Sequence, residues 1–235
     1  MPVISDLRVE VTTEDVAHAW GPRRARLASP RMLARVSELL EQVEAEHWLH
    51  PRMSFGFRPV ARIGPEGIEF PDGSQMYAPL AAQYFRNASH VGAGVCTLGN
   101  ALERHVTGLF ESSDRLRAVL LDEIGTLALY RLSDRLEEKI QEDAALQGLE
   151  MSGVLNPGDD GFDLRAHEMI LEFSEGTSIG VSATSLGMLR PTKSISLVVG
   201  LGTNMPKWSH AERCERCKMR DRCPYREFLV TEAAL

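Results

Sequence analysis

Long apolar runs are missing from this 235-residue chain, and no stretch approaches the roughly 20 residues that a membrane-spanning helix requires. The opening MPVISDLRVEV has no basic region followed by an apolar segment, so no secretory leader is predicted, and a reducing cytoplasm is the expected location. A basic surplus is missing too. With Lys and Arg at 26 against Asp and Glu at 33, the formal charge is −7, which argues against a sequence-independent nucleic-acid binder. No G-x-G-x-x-G or G-x4-G-K-[ST] phosphate loop occurs, no H-E-x-x-H pair, and no G-x-S-x-G elbow. The histidines His18, His47, His50, His90, His105, His167 and His210 are scattered, and there is neither an internal repeat nor a low-complexity tract. Cysteine is scarce as well, with four in the chain.

What is present is an ordinary folding composition, 43% hydrophobic and 25% charged, in a chain long enough for a sizeable core. LRVEV (7–11) reads as a strand. TTED follows as a helix start, with Thr12 or Thr13 as N-cap and acidic residues in the first turn. A helix is expected from Pro30 to Trp48, on the spacing of Met32, Leu33, Val36, Leu39, Leu40 and Val43. Residues 51–78 suggest a meander in which GIEF turns through PDGS, and HVGAGVCTLG (90–99) suggests a buried strand ending in a glycine turn before a helix. The strongest period lies in 114–144. There Leu116, Val119, Leu120, Ile124, Leu127 and Tyr130 form an apolar face, and RLSDRLEEKI reads as a charged, solvated end. LNPGDDGFDL (155–164) must be a loop, a helix is expected over 164–173, and extended segments are expected near 179–182 and over SISLVVGLG (194–202). Helices mixed with local strand connections indicate an α+β fold.

The thiols are concentrated. Cys214 and Cys217 form C-x2-C, and Cys223 follows five residues later with Pro224 next, which is the local style of iron–sulfur ligation and is also compatible with zinc. Arg213, Arg216, Lys218, Arg220 and Arg222 surround them and are expected to lower the thiol pKa values. A closed site wants a fourth ligand. The candidates are Cys96, on an expected core strand, His210, four residues before Cys214, or a position filled by solvent or substrate. The boundary TNMPKWSHAER divides a body (1–207) from a cysteine-rich metal module (208–235).

Three stretches, VCTLGNALERHVTGLFESSDRLRAVLLDEIGTLAL, LNPGDDGFDL and GVSATSLGMLRPTKSISLVVGLG, resemble the activation (reactivation) domain of cobalamin-dependent methionine synthase and its stand-alone relatives. The most diagnostic pieces are Asn156-Pro157-Gly158 and MLRPTKSIS, and the resemblance runs from about Leu7 to Gly202. It implies a helmet-shaped α+β domain with a bent antiparallel sheet and flanking helices, S-adenosylmethionine as methyl donor, and a separate corrinoid protein as partner. It also implies reductive reactivation of that partner's cobalamin, as in a split methionine synthase. The ligand-facing residues would then be Asn156, Pro157, Gly158, Asp159, Arg190, Lys193, Ser194 and Ser196. The family's arginine before the loop proline corresponds to Val154 here, its tyrosine after Pro-Gly to Asp159, its later acidic residue to Ser185, and its last-strand tyrosine to Val199. These departures remove contacts to the donor, since valine cannot replace a bidentate arginine. A non-catalytic zinc-stabilised assembly subunit is the competing reading. A methyltransferase in its own right would need a donor pocket and a base, and the altered loop supports neither.

Overall fold

The structure is a computed structural model that describes residues 3–5, 7–21, 28–159, 161–217 and 219–232. Five antiparallel strands form the main sheet in the order β1-β2-β6-β10-β7, where β1 is Val3–Ile4, β2 Arg52–Pro59, β6 Ala88–Thr97, β7 Glu150–Leu155 and β10 Ser194–Gly202. A three-stranded meander, β3 (Arg62–Gly64), β4 (Gly67–Glu69) and β5 (Gln75–Tyr77), lies beside it, and β8 (Ser182–Ala183) pairs with β9 (Leu189–Arg190). The architecture is the α+β arrangement anticipated from sequence. Register shifts at Val199/Leu201 toward β7 and at Leu201/Gly202 toward β6 put extra twist into β10, and the sheet bends there.

Helix α5 (Arg115–Leu146) crosses one face of the sheet. Its Leu132, Leu136 and Ile140 pack with Met53, Phe55, Cys96, Leu197, Val199 and Leu201, all at most 3% exposed. The other face is covered by α6 (Ala166–Ser174) and the meander, through Ile170, Phe173, Ile68, Phe70 and Met76 against Val91, Ala93 and Val198. Because both faces of β10 are covered, its sequence is a nearly unbroken apolar run rather than an alternating one. Helices α1 (Thr13–Ala19), α2 (Pro30–Ala45), α3 (Pro79–Tyr84) and α4 (Ala101–Glu111) complete the body, and α7 (His210–Arg216) and α8 (Arg226–Glu232) carry the cysteine segment.

Local signals account for several boundaries. The Thr12 hydroxyl accepts from the Asp15 N–H while the Asp15 carboxylate accepts from the Thr12 N–H, a capping box that starts α1. Pro30 opens α2, and His47, at φ 52°, turns the chain out two residues after Ala45.

Other expectations need correction. Residues 7–11 form no strand: they belong to no sheet among the described residues, although Leu7, Val9 and Val11 are half-buried against the core. An alternating pattern marks a half-buried segment without showing that it has a strand partner. The region near 179–182 is a 3-10 turn, Gly176–Ile179, followed by the short β8. On α5, Leu116 and Val119 are exposed, while the charged end is half buried because Leu132, Leu136 and Ile140 share it with Asp134 and Glu137.

Candidate functional site

Strand β7 ends at Leu155, opposite Val198, so β10 has no β7 partner along Ser194–Leu197. The chain turns away there as Asn156-Pro157-Gly158-Asp159, and Gly158, at φ 101°, occupies a conformation that L side chains rarely adopt. The turn is self-supporting. The Asp159 carboxylate accepts from the Asn156 N–H at 2.8 Å, the Gly158 N–H donates to Phe162 O at 2.8 Å, and the Asn156 side-chain amide donates to Ser196 O at 2.8 Å. That last bond covers part of the open edge of β10 and fixes the loop against it.

Beside this edge lies a cleft of about 530 Å³. The loop contributes Asn156, Pro157 and Asp159, β10 contributes Ser194, Ile195 and Ser196, and α5 contributes Tyr130, Ser133 and Asp134. The cysteine segment contributes His210, Arg213, Cys214, Cys217 and Cys223. Loop residues and thiols that stand some 60 positions apart in sequence therefore share one wall system.

The cysteine segment is held on the body at both ends. At one end, Trp208 packs over Gly153, where an added Cβ would fall 2.1 Å from the indole, and its Nε1–H donates to Val154 O at 3.1 Å. The Arg216 guanidinium lies 4.9 Å from both the Trp208 and the Tyr84 rings. At the other end, Phe228 is 1% exposed among Val16, Trp20, Val36, Leu39 and Ile124. Tyr225 meets Tyr130 edge-on at 5.7 Å.

The electrostatics of the cleft are dense. His210 Nε2 lies 3.3 Å from Asp134, and Arg213 lies 3.3 Å from Glu137, 2.7 Å from His210 Nδ1 and 3.4 Å from Asn156 Oδ1. Asp134, Glu137 and His210 bring their donor atoms within 4.8 Å of one another, and among the described residues this is the one such group of three or more possible metal ligands. Burial pushes the Glu137 carboxyl up, against the opposing pull of Arg213 and His210. Burial likewise raises Asp159, against its bond to the Asn156 N–H and the charges of Arg213 and Arg216. His167 lies in the wall with Nδ1 2.6 Å from Gly187 O. A carbonyl can only accept, so Nδ1 carries the proton, and burial holds the ring's pKa below its usual value.

The thiols depart from expectation in one respect. Cys214 is raised rather than lowered, because burial and the neighbouring Cys223 and Cys217 outweigh Arg213 and Arg226. Lys218, counted among the basic neighbours, lies outside the described residues, as does Asp160 of the loop.

The other candidates are placed elsewhere. Lys193 reaches α5 instead of the cleft, with Nζ 2.8 Å from Asp122 and 2.8 Å from Thr126 Oγ1. Arg190 points to Glu103 at 3.9 Å across a separate groove. Gly158 lies behind the turn beside Leu164. Cys96 is 0% exposed in the sheet core, and burial pushes its thiol up to about 12. Asp134, Glu137, Trp208 and Phe228 were not singled out from the sequence, and Arg213 was noted only as a basic neighbour of the thiols. The i, i+3 spacing of Asp134 and Glu137 on one helix face was the available signal.

The fold, though not the site, can be compared with a solved structure. A crystal structure of the MetH reactivation domain bound to AdoHcy aligns with a TM-score of 0.61 over 99% of this chain and 88% of that chain, at 15% identity. The two chains share a fold. Comparison with protein-family models gives no match, and comparison with curated proteins gives none either. Three of the four positions where the sequence departs from the reactivation-domain pattern lie away from the cleft. Val154 and Val199 are buried in the core and Ser185 lines a neighbouring depression, so Asp159 alone of the four borders the cleft. The guanidinium beside the loop is that of Arg213, from the cysteine segment.

Proposed function

We propose that this protein is an accessory component of corrinoid-dependent methyl transfer, acting on a separate cobalamin-binding protein. In this reading, residues 208–235 form a metal-binding module whose centre, an iron–sulfur cluster with zinc as the alternative, is held by Cys214, Cys217 and Cys223. The observation that carries the reading is the convergence of the loop, the open edge of β10 and the three thiols on one cleft, in a chain whose fold follows a reactivation domain along 99% of its length. A corrinoid partner and a methyl donor of the S-adenosylmethionine type would supply the methyl-transfer chemistry. This chain supplies the docking body, a largely apolar cleft with charged groups at its walls, and thiolate ligands for a centre that, once reduced by an external donor, would pass one electron to an oxidised corrinoid.

The cleft's donor set is compatible with such a methyl donor by a different route from the family pattern. Arg213, from the cysteine segment, sets a guanidinium 3.4 Å from Asn156 Oδ1 beside the loop, where a carboxylate could be met. One observation favours the competing reading of a zinc-stabilised assembly subunit. The anchoring of Trp208 and Phe228 gives the segment a structural role of its own.

Anaerobic isolation with iron, sulfide and zinc analysis, and a visible spectrum before and after dithionite, separates the two. Stoichiometric iron and sulfide with absorbance that bleaches supports electron delivery, and Cys223→Ala should remove that signal. Zinc alone, with no bleaching, would overturn it in favour of the assembly subunit.

A further inference from the structure

Charge is unevenly distributed along the chain. Residues 207–226 carry seven Lys and Arg against three Asp and Glu, a local +4, whereas the rest of the chain carries 19 against 30, or −11. Part of that positive charge holds the segment in place. Arg213 pairs with Glu137, Arg226 pairs with Glu215, and Arg216 lies over the Tyr84 and Trp208 rings. Arg222 is exposed and makes no ion pair among the described residues, and the one carboxylate that Arg220 meets there is the exposed Asp221, at 3.5 Å.

Beside these two guanidiniums in sequence stands Met219, which is 54% exposed. Its backbone ties two of the thiol-bearing residues together. The Met219 N–H donates to Cys217 Sγ at 3.4 Å, and Met219 O accepts from the Cys223 N–H at 2.7 Å. The segment therefore has two sides. Cys214, Cys217 and Cys223 line the cleft, Met219 and Arg222 do not, and a hydrogen bond joins the outer Met219 amide to a sulfur on the inner side. An exposed methionine among arginines has the composition of an interface, in which both residue types are enriched, and a small contact of this kind suits a transient encounter. A local positive patch on an otherwise negative surface selects an anionic partner.

We propose that the surface of Met219, Arg220 and Arg222 is the port through which electrons enter, and that a small acidic electron-carrier protein docks on it. The inference rests on the redox centre proposed above and adds the chemistry of its donor and the surface the donor uses. In the exchange the reduced carrier loses one electron and the oxidised centre gains it, with no bond made or broken. The thiols border the cleft, so donor and acceptor approach the centre from different sides.

The test uses the full chain, isolated anaerobically with its metal, and a plant-type [2Fe–2S] ferredoxin as the acidic probe. Isothermal titration calorimetry at low ionic strength should show the oxidised ferredoxin binding, with an affinity that falls as salt is raised. Because the whole chain has a formal charge of −7, net charge predicts repulsion, and salt-sensitive binding of an acidic probe reports the local patch. Arg222→Glu should weaken binding about tenfold, and Met219→Ala should weaken it without changing the salt dependence, both with metal content unchanged. Arg104→Glu, at an exposed arginine of α4, should leave binding unchanged. The rate at which reduced ferredoxin passes its electron to the centre, followed by stopped flow, should fall in the same variants. No binding at low salt, or equal losses in Arg222→Glu and Arg104→Glu, overturns the proposal. Zinc in place of a cluster overturns the earlier reading and the electron step with it, whereas a cluster that dithionite reduces and ferredoxin neither binds nor reduces overturns the port alone.

Discussion

Replacing Phe228 by alanine tests whether the cysteine segment is part of the folded body. Its ring is 1% exposed, inserted among Val16, Ala19, Trp20, Val36, Leu39, Leu120, Ile124 and Leu127, with the His18 ring edge-on at 6.1 Å. Truncating a buried phenylalanine to alanine costs about 3–5 kcal/mol from lost transfer energy and the cavity left behind. In a chain of this size each 1 kcal/mol moves Tm by about 2–4 °C, so the whole cost would lower Tm by roughly 6–20 °C. The alternative route of relief is local. If α8 lets go of its site, the penalty is capped by the docking energy of the segment, and the Tm shift shrinks while the segment opens. Thermal unfolding followed by circular dichroism, paired with timed trypsin cleavage at the arginines of 213–226, covers both routes. Phe228→Leu, which keeps most of the volume, should cost less than half as much. A Phe228→Ala protein with unchanged Tm and unchanged protection of those arginines would refute the docked arrangement.

Three further outcomes follow from the packing and the ionisable groups. Gly153→Ala places a methyl 2.1 Å from Trp208 Cδ2, so the indole must leave its seat over β7, seen as a red-shifted tryptophan emission and loss of metal retention. Glu123→Ala strips the acceptor 2.7 Å from the buried Trp20 Nε1–H and should lower stability by about 1–3 kcal/mol in urea unfolding, whereas Glu123→Gln, which keeps an acceptor, should cost less. Asp159 has a folded-state pKa above its ordinary 3.8, so its contribution to stability is complete at pH below that value and is lost as pH rises through the raised one. Asp159→Asn should therefore flatten the decline in stability above pH 4 measured by denaturant titration, and a profile identical to wild type would count against the burial of this carboxyl.

How far the sequence specified these features depends on the kind of signal. The strand Ser194–Gly202 is found residue for residue because a continuous apolar run bounded by Lys193 and Thr203 has one reasonable reading. The long helix was visible from its period, but its buried face was only half right. Leu132, Leu136 and Ile140 lie on the sheet, and Leu116 and Val119 lie outside it, since a 3.6 period names a face without saying which turns have a sheet beneath them. Of the site, the loop itself and the three clustered cysteines were legible from turn chemistry and spacing, whereas Ser194 and Ser196 entered only through the family resemblance; the structure puts Asn156, Pro157, Asp159, Ser194, Ser196 and the cysteines at one cleft. Lys193 and Arg190 were placed there by the resemblance, but their partners Asp122 and Glu103 are tertiary. Arg213 was legible only as one of several basic residues. Its contact with Asn156 spans 57 positions and depends on Trp208 and Phe228 holding the segment down.

The central claim concerns a corrinoid partner, and it is met most directly with cobalamin itself. The dithionite-reduced protein, freed of excess reductant, should be mixed anaerobically with a cobalamin-dependent methionine synthase lacking its own reactivation domain and loaded with cob(II)alamin, in the presence of S-adenosylmethionine. The cob(II)alamin absorbance should give way to that of methylcobalamin, and Cys223→Ala should abolish the change. A cob(II)alamin spectrum that stays the same with and without the reduced protein would contradict it.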